Sequence, residues 1–175
     1  MNKAFILIAI CSFSPLNALG KNHLDVEFKG ELIHHDCQIA AGSINKQIQL
    51  GYLRKQYLNE HSVSDVFPFF IEINKCSPSD LNKIIRLTWQ SHQLIDIDGN
   101  HYLTTQGASG ALLGLIEMDK DKQPVIWNQP IKVGVVSVVD NRQQLNFGVF
   151  VRKPASGEIK TGDFKGTATF VVEYE

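Results

Sequence analysis

An all-β sandwich is the fold class that this sequence predicts, and three observations carry the prediction. The stretch Gly162–Glu175 alternates: Phe164, Ala168, Phe170, Val172 and Tyr174 share one face of a period-two strand, with Thr167, Thr169 and Glu173 opposite and Val171 as the apolar exception. Short apolar runs recur at spacings of roughly ten residues, with Gly, Pro and Asn between them. No window longer than a few turns holds a helical period. The closing stretch poses the main question. A strand this apolar belongs in a core, and its backbone needs partners on both sides or it stays an adhesive edge.

The chain opens with Lys3, an apolar run from Ala4 to Ile10, a break at Pro15 and Asn17, and the small-residue end Ala18-Leu19-Gly20. This pattern reads as a secretory signal peptide over residues 1–20, cleaved after Gly20, with Ala18 as the alternative site. The run is shorter than the about 20 apolar residues that a membrane span requires. The remainder of the chain is long enough for one domain with a real core, residues 34–175, preceded by an extension at 21–33. The whole chain has 17 basic and 18 acidic residues and a formal net charge of −1. No charge run stands out, which argues against a nucleic-acid partner or an anionic membrane surface.

Leu24, Val26, Phe28, Gly30 and Leu32 alternate with Asp25, Glu27, Lys29 and Glu31, the cleanest half-buried strand in the sequence. Gly30 stands where a large side chain is expected, a sign of close approach by another backbone or of a shallow pocket. Cys37 to Leu50 reads as extended, broken at Gly42-Ser43; Gly51 to Asp65 reads as a loop with one helical turn at Arg54–Asn59. Phe67, Phe69, Ile71 and Ile73 alternate, with Pro68 tolerated near the strand start. Ser77-Pro78-Ser79-Asp80 is a turn, and Ile85, Leu87 and Trp89 share one parity of the next strand. Asp98-Gly99-Asn100 turns into a short strand at His101–Leu103. The small residues of Gly107–Ala111 lead into Leu112–Met118, Asp119–Pro124 is a polar turn, and Ile131–Val139 and Leu145–Val151 are further strands before the Pro154–Thr161 loop.

Of three cysteines, Cys11 lies in the signal peptide, leaving Cys37 and Cys76. An even count in an exported chain reads as a disulfide; two free thiols or a metal pair are the alternatives. Such a bond would close a loop worth roughly 4 kcal/mol in the chain-entropy model. Neither cysteine lies in a CxxC arrangement, and no second ligand cluster stands near Cys76. His34 and His35 are adjacent in an extended region and point to opposite faces, so His34-His35-Asp36 reads as a solvated strand end. Asp96 and Asp98 precede Gly99 as in a turn, without the rest of a calcium loop. No nucleophile elbow, zincin helix or phosphate-cradling loop is present, so the sequence predicts neither an enzyme nor a cofactor.

The informative pattern is architectural: an alternating strand near each end of the exported chain, with two cysteines and short strands between. Here the sequence resembles the pilin subunits of chaperone–usher fimbriae of Gram-negative bacteria. The residues that carry the resemblance are Val26-Glu27-Phe28-Lys29-Gly30-Glu31-Leu32, Cys37, Ile48-Gln49-Leu50-Gly51, Pro68-Phe69, Cys76, Gly107-Ala108-Ser109-Gly110-Ala111, Gly162-Asp163-Phe164-Lys165-Gly166-Thr167-Ala168-Thr169-Phe170 and the penultimate Tyr174. Each alone is weak; the ordered set spans the exported chain.

The resemblance implies an incomplete immunoglobulin-like β-sandwich that lacks its final strand, with an N-terminal donor-strand extension at residues 21–33. It implies that Leu24, Val26, Phe28, Gly30 and Leu32 form a donor-strand face. Gly162, Phe164, Ala168, Phe170, Val172 and Tyr174 would belong to the acceptor groove and chaperone-binding strand, and Cys37–Cys76 would be the disulfide. It further implies export through the periplasm to a cell-surface fimbrium and a role in cell adhesion. The implied partners are a periplasmic pilus chaperone, an outer-membrane usher and neighbouring pilin subunits. Only sixteen residues separate Gly20 from Cys37, a short arm that points to a minor or adaptor subunit. The alternative reading is a self-contained exported sandwich that binds carbohydrate or another ligand. It needs an aromatic platform, for which Trp89 and Trp127 are candidates: Trp89 by parity belongs to the core, whereas Trp127, near a turn, is expected to be the more exposed.

Overall fold

A computed structural model of the chain describes residues 37–119, 121–137 and 142–175. The signal peptide expected at 1–20, the extension at 21–33 with its strand at Leu24–Leu32, and His34-His35-Asp36 lie outside the described residues.

Among the described residues, twelve strands and one short α-helix succeed one another. They are β1 (Gln38–Ile39), α1 (Lys55–His61), β2 (Phe67–Asn74), β3 (Ile84–Gln90), β4 (Leu94–Ile97), β5 (Asn100–Thr104), β6 (Gln106–Gly107), β7 (Leu112–Glu117), β8 (Gln123–Pro124), β9 (Ile131–Val135), β10 (Gln143–Arg152), β11 (Phe164–Lys165) and β12 (Thr169–Tyr174). The larger sheet runs β1-β2-β10-β7-β5-β4, with β8 beside β7; the smaller runs β12-β3-β9; β6 and β11 form a separate pair. Every pairing between these strands is antiparallel.

The two main sheets pack face to face through residues at alternate positions. Phe69, Ile71 and Ile73 of β2 and Leu145, Phe147, Val149 and Val151 of β10 meet Ile85, Leu87 and Trp89 of β3 in one core. The Phe147 ring stacks on Phe69 at 5.9 Å and meets Trp89 edge-on at 5.3 Å. Such aromatic pairs stabilise beyond their buried area by about 0.5–1.5 kcal/mol each. This is the all-β sandwich that the alternation predicts, with the immunoglobulin-like character that the resemblance implies.

Strand β7 shows why its sequence does not alternate. All six of its residues are buried. It lies between β10 and β5, and its outward face is covered: at Gly114 any Cβ would strike the ring of Phe150. A strand enclosed on both faces reads as a continuous apolar run.

Three expectations are corrected. The extended region Cys37–Leu50 pairs only at Gln38 and Ile39; Ala41–Ser43 form a 3-10 turn, and Ile44–Leu50 has no strand partner among the described residues. Leu94–Ile97, a stretch in which no strand was read from sequence, is a strand hairpinned with β5. The closing stretch is two strands rather than one, since β11 pairs with β6 whereas β12 pairs with β3. The break falls at Gly166, where a Cβ would lie 2.6 Å from Leu113 Cδ1 and 2.9 Å from Leu103 Cδ2. The chain crosses between pairings there, and any larger residue would have to push the leucine side chains aside.

The helical turn expected at Arg54–Asn59 is α1, one residue displaced and two turns long. It closes one end of the sandwich. Leu58 is buried, Asn59 Oδ1 accepts the Ile159 N–H at 3.1 Å, and Lys153 Nζ donates to the Asn59 carbonyl at 3.1 Å.

Candidate functional site

The site is built around β12. Its register against β3 sets Phe170 opposite Trp89, Val172 opposite Leu87 and Tyr174 opposite Ile85. Just beyond the strand, Glu175 exchanges backbone hydrogen bonds with Ile84 at 2.6 and 3.0 Å, and its carboxylate accepts from Arg86 Nε at 2.6 Å. One edge of β12 is thus firmly held. The other edge is paired with no described residue, because β12 ends its sheet.

The side chains carry the same asymmetry. On β3 the inward residues Ile85, Leu87 and Trp89 are buried. On β12 the inward residues Phe170, Val172 and Tyr174 are only half-buried although they touch the same core, and Thr169, Val171 and Glu173 are exposed. The parity read from sequence is therefore the parity of the structure. Phe164 and Ala168 are also half-buried against that core. Gly162 is exposed and crosses Ala108, whose Cβ would lie 2.8 Å from a Cβ at Gly162.

A second stretch is left without backbone pairing. Between Ile44 and Arg54 no residue joins a strand or makes a backbone–backbone hydrogen bond with another described residue, apart from Ile44 N–H closing the 3-10 turn and Arg54 opening α1. Ile44 and Ile48 are exposed, whereas Leu50 and Leu53 are half-buried against the same core as Phe170. Sequence reading placed Ile48–Leu50 in an extended region. A strand needs a neighbour, which the described residues do not supply.

Cys37 and Cys76 are joined by a disulfide across the β1–β2 pair. Both are buried, and the bond ties the entry of β1 to the exit of β2. No group of three or more His, Cys, Asp or Glu among the described residues could hold a metal ion. Asp96 Oδ1 accepts the Gly99 N–H at 3.2 Å, so Asp96 serves the β4–β5 turn. Trp89 and Trp127 are 5% and 7% exposed, which corrects the expectation that Trp127 is accessible. Trp127 Nε1 donates to the His101 carbonyl at 3.1 Å, tying the indole into the fold. Neither ring offers a platform to a sugar.

The strongly shifted titratable group lies elsewhere. Asp80 caps the 3-10 turn at Pro78–Asp80, accepting from the Ser77 N–H at 2.7 Å, from Lys83 Nζ at 3.0 Å and from the Ser77 hydroxyl at 2.8 Å. These donors, led by the Ser77 backbone, lower its pKa to about 2. Its role is structural, since it holds the turn that feeds β3.

Comparison with known proteins supports this architecture. The model of the fimbrial protein family matches residues 26–175. The PRS fimbrial major pilin protein of Escherichia coli is 27% identical, covering 91% of this chain and 99% of the relative. The fimbrial adapter PapK of Escherichia coli is 25% identical, covering 95% of this chain and 96% of the relative. Among solved structures, the P pilus rod subunit PapA superposes with a TM-score of 0.64 at 19% identity, covering 81% of this chain and all of that one. That last likeness is one of fold. With the family model spanning most of the sequence, the chain belongs to the fimbrial protein family.

Proposed function

We propose that the chain is a structural subunit of a chaperone–usher fimbria, exported through the periplasm to the cell surface and assembled by exchange of β-strands between molecules. One observation carries the reading: β12 is firmly paired on one side, pairs with no described residue on the other, and leaves Phe170, Val172 and Tyr174 half-buried over the core. An incoming strand would complete the sheet by main-chain hydrogen bonds and cover those side chains with its own alternate residues, the physics of β-strand addition. The immunoglobulin-like fold is then incomplete within one chain.

The partners are those that the resemblance to chaperone–usher pilins implies. A periplasmic chaperone lends a strand during export. At the outer-membrane usher, the extension of a neighbouring subunit replaces it. The segment Leu24–Leu32 has the pattern such a strand needs, with Leu24, Val26, Phe28, Gly30 and Leu32 on one face. Burying each large apolar residue of that face contributes about 1.5–3 kcal/mol. The exchange needs neither nucleotide nor cofactor, since one set of sheet contacts replaces another. The short arm before Cys37 favours a minor or adaptor place in the fibre. The ligand-binding sandwich is the weaker reading, because both tryptophans that could serve it are core residues.

The test is strand exchange itself. A chaperone-bound partner subunit is mixed with this chain, and formation of the joined pair is followed over time. Phe28→Asp should slow the exchange by at least tenfold, because the strand would have to bury an unpaired carboxylate. Exchange at the unaltered rate would remove the donor role from this segment.

A further inference from the structure

The Trp89 indole is a polar group in an apolar setting. The ring is 5% exposed and lies among Phe69, Phe147 and Phe170 at centroid distances of 6.1, 5.3 and 5.5 Å. Its Nε1 is buried and has no hydrogen-bond partner among the described residues. The other core tryptophan shows the usual solution, since Trp127 Nε1 donates to a carbonyl at 3.1 Å. Native structures leave few buried donors unpaired, and each such donor calls for a cause.

The surroundings narrow where an acceptor can come from. Three phenylalanine rings offer no oxygen. Phe69 and Phe147 belong to β2 and β10, which are neighbours within the larger sheet. Trp127, bridged to Trp89, has its own N–H committed elsewhere. Phe170 belongs to β12, the element beside Trp89 whose outer edge pairs with no described residue and whose inward side chains are half-buried. New atoms can therefore reach the neighbourhood of this indole along β12.

We propose that Trp89 is a specificity-determining residue of the acceptor groove: its indole N–H selects an incoming strand that presents a hydroxyl or carbonyl oxygen at the inward position nearest Phe170. The inference rests on the reading of β12 as the strand-acceptor edge. It adds a polar requirement to a groove otherwise read by apolar shape. A strand with only aliphatic side chains would cover Phe170 and leave the indole donor desolvated and unpaired. A strand with threonine at that one position would satisfy it with no change of shape, since Val and Thr differ there by a methyl for a hydroxyl.

The experiment joins residues 21–33 to the C-terminus of the chain through a short flexible turn, so that the strand can fold back along the free edge of β12 as a hairpin. Threonine and valine are compared in turn at positions 24, 26, 28 and 32, each in the wild-type and Trp89→Phe backgrounds. The folding constant is read from urea unfolding. At positions away from Trp89, valine should win in both backgrounds, because a hydroxyl there is buried without a partner. At one position, threonine should win by about fivefold, the worth of one net hydrogen bond. That preference should revert to valine in Trp89→Phe. Valine winning at every position in the wild-type background overturns the inference and leaves the indole N–H against the ring faces of its neighbours. A threonine preference that survives in Trp89→Phe overturns it as well, because the partner is then another group. Failure of the tethered strand to stabilise the chain at all refutes the strand-acceptor reading, and this inference with it.

Discussion

Neighbouring residues on β12 should respond to the same substitution by very different amounts. Val172 is half-buried and faces the core, whereas Val171 is exposed on the outer face. Aspartate at either position loses the strand preference of valine, by up to about 1 kcal/mol, so that cost cancels in the comparison. Val172→Asp also loses about half of a full valine burial, near 1 kcal/mol. It then leaves a carboxylate without a partner against Leu87, its cross-strand neighbour, at a further cost of about 1–3 kcal/mol. Val172→Asp should therefore destabilise by about 2–4 kcal/mol more than Val171→Asp. Urea unfolding of the full-length chain measures both, and with a slope of about 1–3 kcal/mol per molar urea the two midpoints should separate by about 0.7–4 M. Equal shifts for the two variants, or a larger one for Val171→Asp, would refute the assignment of faces and with it the groove.

Two further outcomes concern features away from that face. Reducing the Cys37–Cys76 bond, or replacing both cysteines by alanine, should cost roughly 4 kcal/mol, read as a fall in the urea midpoint. A midpoint unmoved by reductant would show that the β1–β2 junction holds without the bond. Asp80 has its pKa lowered in the folded chain, so it favours folding above its unfolded value near 3.8 and loses that contribution as pH falls towards about 2. The stability gap between wild type and Asp80→Asn should thus be widest at pH 5 and close on the way to pH 2; a gap constant across that range would mean that the carboxylate charge is not what holds the turn.

The parity of the core strands was legible because one face of each meets the opposite sheet. Phe69, Ile71 and Ile73, like Ile85, Leu87 and Trp89, alternate in sequence and are buried on that schedule. The order of strands in the sheets was not legible, because antiparallel pairing of β12 with β3 and of β10 with β2 joins segments far apart in the chain. The split of the closing stretch was hidden for a different reason. Alternation survives a change of partner, and Phe164 keeps the parity of Phe170 although the two lie on different strand pairs. Gly166 was the available signal, a residue without a side chain inside an apolar run. The exposed Ile44 and Ile48 show the limit of periodicity, which reports a strand's willingness to pair but not the presence of its partner. Trp89 was correctly assigned to the core by parity, but a sequence does not tell whether a buried indole finds an acceptor.

The pairing of β12 with β3 has a kinetic consequence. Thr169 lies 79 residues from the strand it joins at Gln90, and Glu175 is 89 residues from Arg86. Loop closure over such distances precedes any reward in contacts, which slows folding of sheet proteins of this kind. During synthesis and export β3 emerges long before β12. For that interval its Ile85, Leu87 and Trp89 lack the strand that later covers one flank. The pairing of β3 with β12 can form only once β12 is available, and until then the uncovered apolar face of β3 is a surface of the kind that aggregates. If β12 is the strand-acceptor edge proposed above, a protein that binds it soon after export would act on folding as well as on assembly.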